Sequence, residues 1–166
     1  MKIDLNDLFS GSKSEVGIDC ALDMSELTYG TYHPLNEPVK AKGALSAKAD
    51  VVYLDLVIDY TFHGVCDRCA DEVVKPSTVE IHRIAVEELQ DESDDDDYVI
   101  AEGRVLDLDE LIHEEVVLSL PSKILCKEDC KGLCPQCGAN LNYEKCDCKK
   151  EVDPRLADLL QLLDEE

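Results

Sequence analysis

Alternation of apolar and polar side chains is the plainest signal along the chain. In the stretch 50–60, Val52, Leu54, Leu56, Ile58 and Tyr60 fall on one parity, while Asp55 and Asp59 fall on the other. A period of two with acids opposite predicts a half-buried β-strand with one wetter face. The stretch 39–47 alternates more weakly and predicts a neighbouring strand, with Gly43 as a bulge. Residues 73–86 are rich in β-branched side chains, but apolar parity slips between Ile81 and Ile84, which predicts a second bulge. Shorter strands are expected over 2–5 and 18–24. The expected fold class is α+β, mostly antiparallel, built as a small barrel or a strongly curved sheet.

A helical period follows. Leu108, Leu111, Ile112 and Val116 recur behind an Asp107-x-x-Glu110 start, with Pro121 beyond, which predicts a helix over 107–119 covering one face or end of the sheet. A second helix is expected with Asp153 as N-cap, Pro154 in its first turn, and Leu156, Leu159, Leu160 and Leu163 on one stripe. That stripe either folds back on this chain or offers a face to a partner. The pattern divides the chain into an acidic mainly-β domain (1–121), a cysteine-rich ribbon (122–150) and a terminal amphipathic helix (151–166).

Charge changes the picture next. The 166 residues carry 38 acids against 16 bases, a net charge of −22. Eight acids lie in 87–97, ending in four consecutive aspartates, and removing them still leaves −14. Like-charge repulsion predicts a solvated loop there, and the spacing lacks the central glycine and terminal glutamate of an EF-hand calcium site. Such acidity argues against an overall nucleic-acid binder, since phosphate contact relies on Lys and Arg, and against an anionic-membrane protein. The first ten residues lack the pattern of a signal or transit peptide, and the longest apolar runs are about four residues. A cytoplasmic protein without membrane contact is expected, and in that compartment cysteines point to metal ligation before disulfides.

The nine cysteines are clustered. Cys134-Pro135-Gln136-Cys137-Gly138 is a knuckle: two thiolates grip one ion from a tight turn, and Gly138 lets backbone N–H groups reach the sulfurs. Cys146-x-Cys148 follows nine residues on, completing four thiolates in fifteen residues, sufficient for a closed tetrahedral zinc site. The two pairs flank a turn-rich crossing at 140–143. Cys66-x-x-Cys69 and Cys126-x-x-x-Cys130 each fall short of a tetrahedron, but together they make a second candidate site binding the strand end to the ribbon. One Zn²⁺ is expected, and two if both sets close. Exchange of Cys130 for Cys146 or Cys148 stays open at this stage, His63 is close enough to Cys66 to be a spare ligand, and Cys20 is left over.

Other chemistry is thin. A thioredoxin-like use of Cys66-x-x-Cys69 needs a helix after the second cysteine, where 73–86 is strand-like. The four histidines are dispersed, and no phosphate-binding, dinucleotide or nucleophile-elbow motif occurs. No catalytic residue and no small-molecule substrate are expected. Residues 123–150 carry six lysines against four acids, leaving −24 on the rest. Four thiolates around Zn²⁺ add about −2, which cancels the ribbon's excess. Lys127, Lys131, Lys145, Lys149 and Lys150 remain candidate RNA contacts, or else compensate the thiolates.

Several segments occur in a telling order. They are Met1-Lys2-Ile3-Asp4-Leu5, Val65-Cys66-Asp67-Arg68-Cys69, Val105-Leu106-Asp107-Leu108, the run from Cys130 through Cys134-Pro135-Gln136-Cys137-Gly138, and Asp153-Pro154-Arg155-Leu156-Ala157. The chain resembles the bacterial YceD-like family, the large ribosomal RNA subunit accumulation proteins, in a cysteine-rich form. That resemblance implies a role in synthesis, processing or stability of 23S rRNA during large-subunit assembly. It supports Cys66 and Cys69 as the family's thiol pair and Cys134 and Cys137 as ribbon ligands, and it carries over no catalytic residue. Joined to the charge distribution, it predicts a non-enzymatic acidic adaptor facing a basic ribosomal protein or assembly factor. The alternatives are direct binding of 23S rRNA or its precursor by the ribbon lysines, and a thiol redox or metal-handling protein.

Overall fold

The computed structural model describes residues 1–49, 51–88 and 97–148. In chain order the elements are β1 (Lys2–Asp4), α1 (Asn6–Phe9), β2 (Glu15–Leu22), β3 (Val39–Lys48), β4 (Val51–Val65), β5 (Glu72–Val86), β6 (Tyr98–Ile100), a 3₁₀ turn (Glu102–Arg104), β7 (Val105–Asp107) and α2 (Leu108–Ser119). The terminal helix expected over 151–166 lies outside the described residues, as do Lys149, Lys150 and most of the acidic run.

Five strands form one sheet in the order β2-β3-β4-β5-β6, antiparallel except for the parallel β5–β6 pairing. β1 and β7 make a separate antiparallel pair. The fold is α+β, and of the two forms expected it is the curved sheet: a curled half-barrel with β2 and β6 as its edges. The parity seen in sequence sets the inside. Val52, Leu54, Leu56, Ile58, Tyr60 and Phe62 of β4 are all buried, and Leu108, Leu111, Ile112 and Val116 of α2 join the same core. Each such aliphatic side chain contributes about 1.5–3 kcal/mol on burial. Two tyrosine hydroxyls fasten the exit from α2: Tyr60 OH meets Ser119 Oγ at 2.8 Å, and Tyr29 OH donates to the Pro121 carbonyl at 2.7 Å.

Neither expected bulge forms. The β3 register runs unbroken through Gly43, which pairs with Ile18 on one side and Leu56 on the other. Glycine is required there by close approach: a Cβ would collide with the Asp55 carbonyl oxygen and lie 2.8 Å from Leu56 Cα. The β4–β5 register is equally continuous from Val52↔Ala85 to Val65↔Glu72. The parity slip has a different cause. Arg83 stands on the inward parity between Ile81 and Ala85, and its guanidinium is paired with Glu115 of α2. A charged pair therefore occupies the position where an apolar side chain was expected. The α2 start also departs from expectation. Asp107 sits at the N-cap position, but its side chain makes no capping hydrogen bond. Its carboxylate instead lies 3.6 Å from Lys2 Nζ and 3.9 Å from the N-terminal amine, tying β1 to the helix.

Candidate metal centre

β4 and β5 form a long hairpin, and its tip carries Cys66 and Cys69. The tip is a knuckle: the Ala70 N–H donates to the Cys66 carbonyl at 2.9 Å, with Ala70 held at φ +58°. Cys134–Gly138 repeats the device, with the Gly138 N–H donating to the Cys134 carbonyl at 2.9 Å and Gly138 at φ +74°. Glycine adopts that conformation without strain, whereas Ala70 holds it at some cost.

The segment after α2 docks on the hairpin tip by hydrogen bonds from both sides. The Asp67 N–H donates to the Ile124 carbonyl at 2.8 Å, and the Ile124 N–H returns a bond to Asp67 Oδ2 at 2.7 Å. Arg68 Nη1 donates to the Cys130 carbonyl at 2.8 Å, and the Leu133 N–H donates to the Arg68 carbonyl at 2.9 Å. This pairing delivers Cys126 and Cys130 to the knuckle, where Cys66 Sγ lies 3.8 Å from Cys130 Sγ and Cys69 Sγ lies 3.5 Å from Cys126 Sγ. All four sulfurs lie within 4.8 Å of one another, and so do those of Cys134, Cys137, Cys146 and Cys148.

These spacings discriminate between chemistries. A disulfide needs sulfurs about 2.05 Å apart. Four thiolates about 2.3 Å from one central ion have sulfur–sulfur edges of about 3.8 Å. The first group matches those edges at 3.8 and 3.5 Å. Both sets are therefore suited to a four-coordinate, thiophilic metal ion. Cys130 Sγ lies with those of Cys66, Cys69 and Cys126, while Cys146 and Cys148 lie with Cys134 and Cys137. Both groups contain only cysteine. His63 joins neither, and its buried Nε2 has no hydrogen-bond partner among the described residues; Cys20 lies apart on β2.

Protonation within the groups is uneven. Burial pushes the Cys66 thiol up, but N–H groups of Cys126, Arg68 and Cys69 outweigh it and bring the value down to about 6. The Cys137 and Gln136 N–H groups likewise hold Cys134 at about 6. The Asn142 amide, 3.3 Å from Cys130 Sγ, lowers Cys130. Burial raises Cys69 and Cys126, while Cys134 beside Cys146 and Cys137 beside Cys148 raise those two, Cys148 to about 12. Thiolates crowded this closely cannot all ionise without a cation. With a metal ion bound there, Cys69, Cys126, Cys146 and Cys148 would give up their protons to serve as ligands.

Sequence reasoning missed the polar shell. Asp71 accepts hydrogen bonds from Asn140 Nδ2 at 3.1 Å, Tyr143 OH at 3.2 Å and the Cys69 thiol at 3.2 Å. Asn142 Oδ1 accepts from the Lys131 N–H at 2.9 Å while its amide faces Cys130. The crossing at 140–143 is thus a clamp between the two cysteine groups, and Asp71 carries no local signal beyond its nearness to Cys69. Such outer partners orient ligands and tune their basicity. After Cys69 the chain enters β5 and not a helix, so the thioredoxin setting is missing. Lys127, Lys131 and Lys145 are exposed on the ribbon. No helix among the described residues is long and apolar enough to cross a membrane.

Several known proteins are similar to the chain. A family model described as large ribosomal RNA subunit accumulation protein YceD matches residues 54–163. YlbN of Bacillus subtilis is 30% identical over 171 residues, covering 98% of this chain and 96% of that protein. Rv2926c of Mycobacterium tuberculosis is 32% identical over 103 residues, covering 60% of this chain and 50% of its own. A chloroplastic protein of Arabidopsis thaliana, called large ribosomal RNA subunit accumulation protein YCED homolog 1, is 42% identical over 50 residues, which are 30% of this chain and 16% of that one. No solved structure matches the chain.

Proposed function

The chain belongs to the YceD family, and on that premise we propose that it is a non-enzymatic, zinc-pinned acidic adaptor supporting synthesis, processing or stability of 23S rRNA and assembly of the large ribosomal subunit. The observation that carries this reading is the pair of four-thiol groups. Four thiolates fill a tetrahedron and leave no open position for water or substrate, so an ion held there is structural. Cys66, Cys69, Cys126 and Cys130 would hold one Zn²⁺ and join the hairpin tip to the ribbon. Cys134, Cys137, Cys146 and Cys148 would hold a second within the ribbon. Zinc suits an all-thiolate, redox-inert site, and bound there it supplies cross-linking in place of catalysis.

The acidic body supports the adaptor part. With −24 outside residues 123–150, most of the surface repels RNA and attracts basic ribosomal proteins or assembly factors in the cytoplasm. The test is depletion of the protein, followed by comparison of 23S with 16S rRNA and a ribosomal-particle pull-down. Reduced 23S rRNA and recovery of basic large-subunit proteins are expected. Unchanged rRNA together with an absence of ribosomal proteins would overturn the reading.

A second reading, direct rRNA contact, is favoured by the exposure of Lys127, Lys131 and Lys145, with Lys149 and Lys150 following in sequence. It requires salt-dependent RNA affinity that falls when these lysines are neutralised.

A further inference from the structure

A groove of about 600 Å³ lies between α2 and β6, and no cysteine lines it. One wall is α2, with Leu111 at its base and Leu118 near its end; the other is β6 and the approach to β7, with Ile100 and Val105. Leu118 is 79% exposed, Ile100 46% and Val105 37%. Scattered exposed aliphatics need no explanation, but these three line one concavity together.

The charge around these side chains is one-sided. Glu102, Asp107, Glu110, Glu114 and Glu115 line the groove against Lys2 and Arg83. Both bases already have partners on the protein: Arg83 pairs with Glu115, and Lys2 lies 3.6 Å from Asp107. Glu102, Glu110 and Glu114 have no ion pair among the described residues. Concave walls of low dielectric concentrate the field of such a set.

We propose that this groove docks a basic segment of a partner protein, with an aliphatic or aromatic side chain seated on Leu111, Leu118 and Ile100 and flanking Lys or Arg side chains meeting Glu102, Glu110 and Glu114. The inference deepens the adaptor reading and rests on it, giving the acidic body a specific place of contact. Charge excludes the other occupants. The leucine stripe within 151–166 matches the apolar base, but that segment carries six acids against Arg155 alone. A second copy brings a net −22. RNA adds phosphates to carboxylates and supplies no aliphatic anchor.

The test is fluorescence anisotropy of the full chain with a labelled synthetic peptide in which Lys and Arg flank a central Leu-Phe pair. Leu118→Asp, and separately the double variant Glu110→Lys/Glu114→Lys, are each expected to weaken binding about tenfold. The charge-matched control Glu15→Lys/Glu80→Lys, at exposed positions of β2 and β5, is expected to leave it unchanged. All altered side chains are exposed, and circular dichroism checks that the variants fold. Equal weakening by the control would reduce the effect to diffuse charge and overturn the groove. Equal affinity for a peptide with Ser replacing Leu-Phe would overturn the apolar anchor. Groove-dependent binding of a single-stranded RNA oligonucleotide would overturn the choice of a protein partner. Absence of peptide binding, with large-subunit proteins still recovered from cells, would sink the groove and leave the adaptor reading standing. Peptide binding as expected, with unchanged 23S rRNA on depletion and no ribosomal proteins in the pull-down, would do the reverse.

Discussion

Replacing Cys66 with serine removes one of four sulfurs joining segments that lie far apart in sequence. Cys66 and Cys69 come from the hairpin tip, Cys126 and Cys130 from the ribbon. Structural zinc sites contribute about 10–16 kcal/mol over four ligands, so the loss of one is worth on the order of 3 kcal/mol, or roughly two decades of affinity. What remains to hold the ribbon is a small set of hydrogen bonds, chiefly the Asp67–Ile124 pair and the Arg68 contacts with Cys130 and Leu133. Each is worth about 1 kcal/mol net. The ribbon should therefore stay docked but open more often. Elemental analysis after dialysis against a competing chelator is expected to find two zinc ions per wild-type chain and one per Cys66→Ser chain. Hydrogen exchange should quicken at the Asp67 and Leu133 amides, while the centre of β4 stays protected. One ion in the wild type, undiminished by Cys66→Ser, would refute the second site. Two ions retained by the variant would refute the assignment of Cys66 as a ligand.

Cys134→Ser should also leave one ion, with exchange quickening within 134–148 and the Cys66 group intact; loss of both ions would show that the sites are not independent. Acidification should release metal, because protons compete for the thiolates, and should do so late, because the values near 6 for Cys66 and Cys134 lie below the ordinary 9.0. A depressed value stabilises the fold fully above the ordinary pKa and loses that contribution as pH falls towards 6. A chromogenic chelator should then detect zinc only below about pH 6, since a bound ion keeps the thiolates ionised below their metal-free values, and release at neutral pH would contradict the depressed values. Gly43→Ala should destabilise the sheet by about 1–3 kcal/mol, since the added methyl meets the backbone of β4. Urea unfolding measures this, and an unshifted midpoint would refute the close approach.

The sheet was legible wherever one parity faces the core. The stretch 50–60 showed its buried face because a half-buried strand must alternate, and the helix at 107–119 showed its own because a covering helix must carry a stripe. The same rule misfired at Arg83. Parity reads hydrophobicity, and an inward charge neutralised by Glu115 looks like a slip in register. Asp107 misled for a related reason: N-cap chemistry is local, but its carboxylate turned to Lys2 and the N-terminus, brought close by the pairing of β1 with β7.

Sequence alone established that this is an acidic α+β chain with two Cys-x-x-Cys motifs, because alternation, charge and cysteine spacing are properties of neighbours along the chain. Which pairs share a group was decided by tertiary structure. The long β4–β5 hairpin carries Cys66 and Cys69 to Cys126 and Cys130, a meeting of residues up to 64 positions apart that local spacing cannot encode. Asp71, Asn140 and Asn142, which clamp the two groups, and the groove beside α2 likewise exist only once separate segments have packed together.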